Sequence, residues 1–171
     1  YLNHAIVYSI FEDSKGNLWF GTEEGGVNHL NRSTGEFTYY KFDPDNPHSL
    51  SSNNIKSIKE DKKGNIWIGG ILGSGLFRTD LFARRFNLNT NFSNVGSAYE
   101  SPLNPGIIWV ASRENGLSKL NLKTNEIKRY THNKDNSKSI GHNWVRSTYQ
   151  ENDSILWVGI GTGGPYGDQD G

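Results

Sequence analysis

Val7-Tyr-Ser-Ile10-Phe-Glu-Asp13-Ser-Lys-Gly16-Asn-Leu-Trp19-Phe-Gly-Thr22 returns 48 residues later as Ile55-Lys-Ser-Ile58-Lys-Glu-Asp61-Lys-Lys-Gly64-Asn-Ile-Trp67-Ile-Gly-Gly70. Two further tryptophans, Trp109 and Trp157, follow at spacings of 42 and 48 residues. A self-similarity of this period is the signature of a repeat architecture, and it ranks above any local reading of the chain. From the leading Val or Ile to the Trp is 12 residues in three units (Val7, Ile55, Val145) and 14 in the third, where Ser101-Pro-Leu-Asn-Pro-Gly106 lengthens the turn.

Downstream of the Trp each complete unit repeats a second signal: Gly26-Val27, Gly75-Leu76 and Gly116-Leu117, followed four residues after the Val or Leu by Asn31, Asp80 and Asn121. The first unit therefore divides into four short segments, about 6–12, 17–22, 26–31 and 36–42, rich in β-branched and aromatic residues and bounded by turn residues. In Asp13-Ser-Lys-Gly16 and Asp61-Lys-Lys-Gly64 the Asp is placed to accept local backbone N–H groups and the Gly to take positive φ. A single four-stranded sheet cannot bury both faces, so such units must stack radially around an axis. The expectation is an all-β partial β-propeller of about three and a half four-stranded antiparallel blades, near 1–50, 51–93, 94–141 and, incomplete, 142–171. The phased Trp is read as packing between blades; a row of sugar-stacking platforms is the alternative.

The bulk numbers agree. Of 171 residues, 20 are Gly and 33% are hydrophobic, which suits short strands and turns better than a helical bundle. Lys plus Arg equals Asp plus Glu at 18 each, so no net field draws the chain to nucleic acid or to a membrane surface. No cysteine is present, which excludes disulfides and thiolate metal sites and fits cytoplasm and periplasm alike. No apolar run has the length of a membrane span. Tyr1 at the start and the absence of Met predict a piece of a longer polypeptide.

The pattern Val-x-x-Ile-x-x-Asp-x-x-Gly-Asn-Leu-Trp-Phe-Gly-Thr, then Gly-Val-x-x-Leu-Asn, resembles the regulator-propeller repeat of hybrid two-component systems of Bacteroidetes type. Val7 to Thr22 and Ile55 to Gly69 carry the resemblance, and the stretch Asp43-Pro-Asp-Asn-Pro-His-Ser-Leu-Ser-Ser-Asn-Asn54 is similar to the family's linker between blades. The resemblance implies the periplasmic sensor region of a membrane-anchored histidine kinase, which recognises products of glycan breakdown. It implies no cofactor and no catalysis by this segment. The tail Gly161-Thr-Gly-Gly-Pro-Tyr166-Gly-Asp168 departs from the family pattern.

The turns sort by length. The first-to-second and third-to-fourth connections are short hairpins, whereas the second-to-third and fourth-to-first connections are long or variable. In an up-and-down blade the two kinds fall on opposite faces, so the variable face is the candidate recognition face. There the second-to-third turns carry Glu23 and Glu24, then Ile71 and Leu72, then Arg113, Glu114 and Asn115, then Gly161 and Thr162. The bland reading of these is solvated turn residues. His142-Asn143-Trp144 ends the linker before the fourth unit, and Trp144 alone among the tryptophans lies outside the repeat phase. It is a candidate for stacking a sugar ring, although Ile6 in the equivalent place argues for simple packing. Glu23, Glu24, Arg113, Glu114, Asn115, His142 and Trp144 are thus the candidate ligand-binding residues.

Enzyme readings find less support. The five His are scattered without ligand spacing, and no nucleophile elbow, phosphate loop or dinucleotide fingerprint appears. Asp43, Asp45 and Asn46 suggest calcium, but Pro44 and Pro47 favour a rigid linker. A ligand-sensing module therefore leads. A protein-interaction propeller or a propeller enzyme of streptogramin-lyase type is the alternative. Expected partners are an oligosaccharide and the remaining blades of the same receptor or a second copy, since an open arc leaves blade faces uncovered. The 171-residue chain expressed alone is expected to dimerise through its end blades or to aggregate. Analytical ultracentrifugation over a wide concentration range checks this, and a monomer throughout would contradict it.

Overall fold

The computed structural model describes residues 1–71, 74–80 and 85–161, and no helix occurs among them. Three antiparallel four-stranded sheets and a two-stranded one form in chain order. The first blade holds β1 (Val7–Glu12), β2 (Leu18–Thr22), β3 (Val27–Asn31) and β4 (Glu36–Tyr40). The second holds β5 (Ile55–Glu60), β6 (Ile66–Gly70), β7 (Leu76–Asp80) and β8 (Arg85–Asn89). The third holds β9 (Val95–Glu100), β10 (Ile107–Ser112), β11 (Leu117–Asn121) and β12 (Ile127–Tyr130), and the last pair is β13 (Val145–Gln150) with β14 (Leu156–Ile160). The first strands of successive blades lie beside one another, so β1, β5, β9 and β13 are the axial strands. The chain is a partial β-propeller.

The core is a set of seams between blades. One seam joins Trp19 and Val27 of the first blade to Ile55, Ile58, Ile66 and Ile68 of the second. The next joins Trp67 and Leu76 to Val95, Ala98 and Ile108, and the third joins Trp109 and Leu117 to Val145. Each phased Trp faces the following blade. Trp19, Trp67 and Trp109 are 0%, 4% and 8% exposed, whereas Trp157 is 61% exposed, with no described blade beyond it. Ile10, the counterpart of buried Ile58, is 65% exposed on the opposite end face.

A buried indole N–H needs an acceptor, and the Asp of the turn supplies it. Asp13 Oδ2 accepts the Trp19 Nε1–H at 2.8 Å, and Asp61 Oδ2 accepts that of Trp67 at 2.9 Å. The other oxygen takes the backbone N–H of Lys15 and Asn17, or of Lys63 and Asn65, as the turn reading expected. Gly16 and Gly64 close these turns at φ +80° and +82°. The third blade lacks the Asp, and there Gln150 of the following blade accepts both Trp109 Nε1–H (3.2 Å) and Ser101 Oγ–H (2.6 Å). On the same face, Glu60 accepts the N–H and Oγ–H of Ser14 from the preceding blade, and Glu100 accepts the N–H of Lys62.

Close approach explains the Gly after the Trp. A Cβ on Gly69 would stand 2.5 Å from Ser57 Oγ and 2.7 Å from Val95 of the next blade. The linkers repeat as their sequences do. Ser49 Oγ accepts the Asp43 N–H and Ser139 Oγ accepts that of Asn133, and Asn53 and Asn143 accept Phe42 and His132 N–H groups. Asp43 and Asn46 spend side-chain oxygens on the turn itself. No cluster of three or more His or carboxylate groups able to hold a metal occurs among the described residues.

Trp67→Ala is expected to destabilise the complete propeller by about 3–5 kcal/mol, as for a large buried aromatic, and half-buried Trp144→Ala by much less. Denaturant melts compare them, and equal losses would make Trp144 an ordinary core residue. A second expectation concerns acid. Burial raises the Asp61 carboxyl, but hydrogen bonds from Trp67, Asn65 and Lys63 outweigh burial and hold it below its ordinary value of 3.8. Asp13 is held low in the same way. Their stabilisation is thus complete above the unfolded value and is lost as pH falls through the lower folded values. The stability gap between the native protein and Asp61→Asn should therefore narrow as pH drops below 3.8 in melts at successive pH values; a gap constant with pH would contradict this.

Candidate ligand-binding face

Four β-bulges place side chains at the axial rim. The register of each axial strand against its neighbour skips one residue between Val7 and Ser9, between Ile55 and Ser57, at Gly96, and between Val145 and Ser147. A bulge leaves one residue outside the ladder and re-aims its side chain. The bulged residues are Tyr8, Lys56, Gly96 and Arg146, of which Gly96 brings no side chain, at the end of the axial strands where the second-to-third turns and the linkers arrive. Glu23 N–H bonds to Ile6 C=O, Arg113 N–H to Asn94 C=O and Gly161 N–H to Trp144 C=O, which ties each such turn to the start of its own axial strand.

The side chains there form a group of two contact sets, Tyr8 with Glu23 and Lys56, and Trp144 with Arg113 and Arg146. Tyr8 O–H donates to Glu23 Oε1 at 2.6 Å, and the Lys56 ammonium lies over the Tyr8 ring, 2.8 Å from its centroid. Arg113 and Arg146 both lie over the Trp144 ring, at 5.7 and 5.1 Å, within cation–π range. The bond to Glu23 raises the Tyr8 hydroxyl above its ordinary value, as do burial and the Glu23 charge, so the phenol stays a donor. Lys56 is lowered, first by burial and then by the charge of Arg113, with Glu23 opposing.

Of the residues picked from sequence, the structure brings Glu23, Arg113 and Trp144 into this group. Glu24 and Glu114 are exposed beside it. Asn115 donates to Ser93 Oγ at 2.9 Å, and Arg113 is the half-buried residue of that turn. His142 Nδ1 accepts the Trp144 backbone N–H at 2.9 Å, the place that His4 Nδ1 and Ser52 Oγ occupy before Ile6 and Asn54. Trp144 is half-buried, and its Nε1 is enclosed without a hydrogen-bond partner. Ile71 ties its turn by donating its N–H to the Asn54 C=O, while Leu72, Thr162, Tyr166 and Asp168 lie outside the described residues.

Tyr8, Lys56 and Arg146 escaped the sequence reading. A signal was available: Val7-x-Ser9, Ile55-x-Ser57, Val95-x-Ser97 and Val145-x-Ser147 hold constant residues around a position that changes from Tyr to Lys to Gly to Arg. On the opposite face a groove of 550 Å³ lies between the first two blades, lined in part by Ser14, Lys15, Glu60 and Arg78. Its carboxylates are already committed, Glu60 to Ser14 and Asp13 to Trp19, so it reads as a seam between blades.

Fold and rim define a propeller segment whose invariant part packs and whose variable part collects at one end of the axis. The family model for the two-component regulator propeller matches residues 1–24 and 49–71, the start of the first blade and the start of the second. Histidine kinase P4 of Formosa agariphila is 30% identical over 174 residues, an alignment covering 95% of this chain and 12% of that protein. The chain therefore spans a small part of its curated relative. Among solved structures, the extracellular domain of a hybrid two-component system of B. thetaiotaomicron superposes with a TM-score of 0.73 at 21% identity, over 92% of this chain and 21% of that one. Virginiamycin B lyase from Staphylococcus aureus superposes with a TM-score of 0.61 at 18% identity, over 89% of this chain and 48% of the lyase. At these identities the structural likeness establishes the fold.

Proposed function

We propose that this chain is part of the ligand-sensing propeller of a two-component sensor histidine kinase, that the segment is non-catalytic, and that it meets a glycan-derived oligosaccharide in the periplasm. The observation that carries the reading is the rim formed by Tyr8, Glu23 and Lys56 on one side and Arg113, Trp144 and Arg146 on the other. Four turns of the repeat could have carried any solvated residue. The four blades instead contribute two aromatic rings, a carboxylate and three cations, with Tyr8, Lys56 and Arg146 on bulges of the axial strands and the rest on turns and the linker. Sugars are recognised by this combination: aromatic faces take the apolar C–H surface, and charged or polar groups take the hydroxyls.

The family match and the histidine kinase relative support the sensor context, and the extracellular propellers of similar fold support the periplasmic location. The remaining blades of the same receptor, or a second copy, would cover the end faces that bear Ile10 and Trp157. No helix long and apolar enough to cross a membrane occurs among the described residues.

Titration calorimetry of the full-length protein against oligosaccharides from polysaccharide digests tests the reading. A bound oligosaccharide should lose about tenfold in affinity in Tyr8→Phe, as for one hydrogen bond supported by a charged partner. Chromatography of the recovered oligosaccharide should show it intact. Turnover would identify a propeller enzyme, and affinity unchanged in both Tyr8→Phe and Trp144→Ala would remove this face from recognition.

A further inference from the structure

The charges on the axial rim are not balanced by contact. Lys56, Arg113 and Arg146 come from three blades, and the side chains of none of them make an ion pair or donate a hydrogen bond among the described residues. Among the described residues, Arg32 pairs with Glu12 and His29 stands 4.0 Å from Asp13, both away from the rim. Glu23 is the one carboxylate inside the group, and it is held by the Tyr8 hydroxyl. Glu24 and Glu114 stand exposed at the margin. Lys56 and Arg113 are both half-buried, and burial, then the Arg113 charge, lower the Lys56 ammonium against the opposing Glu23. Arg113 and Arg146 meet on one ring while Glu23 is held beside Tyr8, so an anion between the two arginines would lower the free energy of the empty site.

The arginines are also prepared for such a guest. A guanidinium lying over an aromatic ring has its flat face covered while its N–H edge stays available, and that edge matches carboxylate or sulfate oxygens two at a time. Arg113 and Arg146 share the Trp144 ring in this way, one from a turn of the third blade and the other from the axial strand of the next. Trp144 is therefore committed to orienting the cations, and Tyr8 is left as the ring nearer the carboxylate.

Building on the sensing reading above, we propose that this rim selects an acidic oligosaccharide, with Arg113 and Arg146 donating to a carboxylate or sulfate-ester group and Lys56 supplying the third positive charge. Tyr8 and Glu23 then take neutral hydroxyls of the same ligand. The ligand class is anionic glycan, and a neutral sugar of the same shape leaves three cations unanswered.

The test uses the full-length protein and defined probes: tri-galacturonate and its methyl ester, a 6-O-sulfated galactose disaccharide and its desulfated form, and inorganic sulfate alone. The acid or the sulfated probe should bind at least tenfold more tightly than its neutral counterpart, and the preference should fall as salt rises. Arg113→Gln with Arg146→Gln should abolish that preference, while Arg113→Lys should retain part of it, because charge persists and the paired N–H edge is lost. The carboxylate and sulfate arms tell the two sources apart. If the methyl ester or the desulfated sugar binds as tightly as its charged partner and Tyr8→Phe still weakens it, sensing at this face stands and acidic selectivity is overturned. The proposal is equally overturned if no anionic sugar exceeds inorganic sulfate, or if the preference survives the double Arg substitution in protein that melts like the native chain.

Discussion

A buried indole N–H must find an acceptor, and the blade is arranged around that requirement. Burying the Trp between two sheets supplies the apolar area that holds successive blades together, but it strands a donor inside the seam. The carboxylate six residues upstream satisfies that donor and the backbone of the hairpin turn together. One side chain thereby couples the turn, the second strand and the seam. The third blade shows which part of this is essential. Its turn is longer and has no Asp, yet Gln150 reaches across from the next blade to the same indole. The need is for an acceptor at that point in space, and the chain meets it from whichever element is near.

Packing of this kind leaves little freedom in the seam. Gly69 is confined between Ser57 and Val95, and Glu60 and Glu100 clasp the turn of the preceding blade. Variation is therefore pushed to positions outside the seams, which are the bulged residue of each axial strand and the second-to-third turns. The bulge is the device that makes the first of these available, since an unpaired residue can turn its side chain to the rim while the ladder resumes on either side. A repeat that is rigid because every blade is alike thus becomes specific through one residue per blade.

The rim has its own electrostatic logic. Overall the chain is neutral, with 18 charges of each sign, and most of them are spread over solvated turns and linkers. At the axis three cations converge, and two of them are organised on a single aromatic ring. Neutrality of the whole therefore says nothing about the field at the one place where blades converge, because that field depends on which few side chains the fold collects there.

Periodicity made the architecture legible from residues alone. Trp19, Trp67, Trp109 and Trp157 set the blade phase, the Asp-x-x-Gly turns and the Asn31 and Asn121 turns marked the strand ends, and the sorting of loop lengths indicated a variable face. These are local features, each decided by backbone conformation and by alternation within a few residues, so a sequence displays them directly. The bond from Asp61 to Trp67 was half visible as a constant spacing, but its meaning depended on the indole being buried by another blade. The rim was less visible still. Glu23 and Arg113 could be picked as turn residues, whereas Tyr8, Lys56 and Arg146 read as ordinary strand positions. Their convergence, and the sharing of Trp144 by two arginines, follows from radial stacking of blades and from a bulge in each axial strand. Contacts between residues far apart in the chain are set by that tertiary geometry, and only the folded arrangement decides which charges meet.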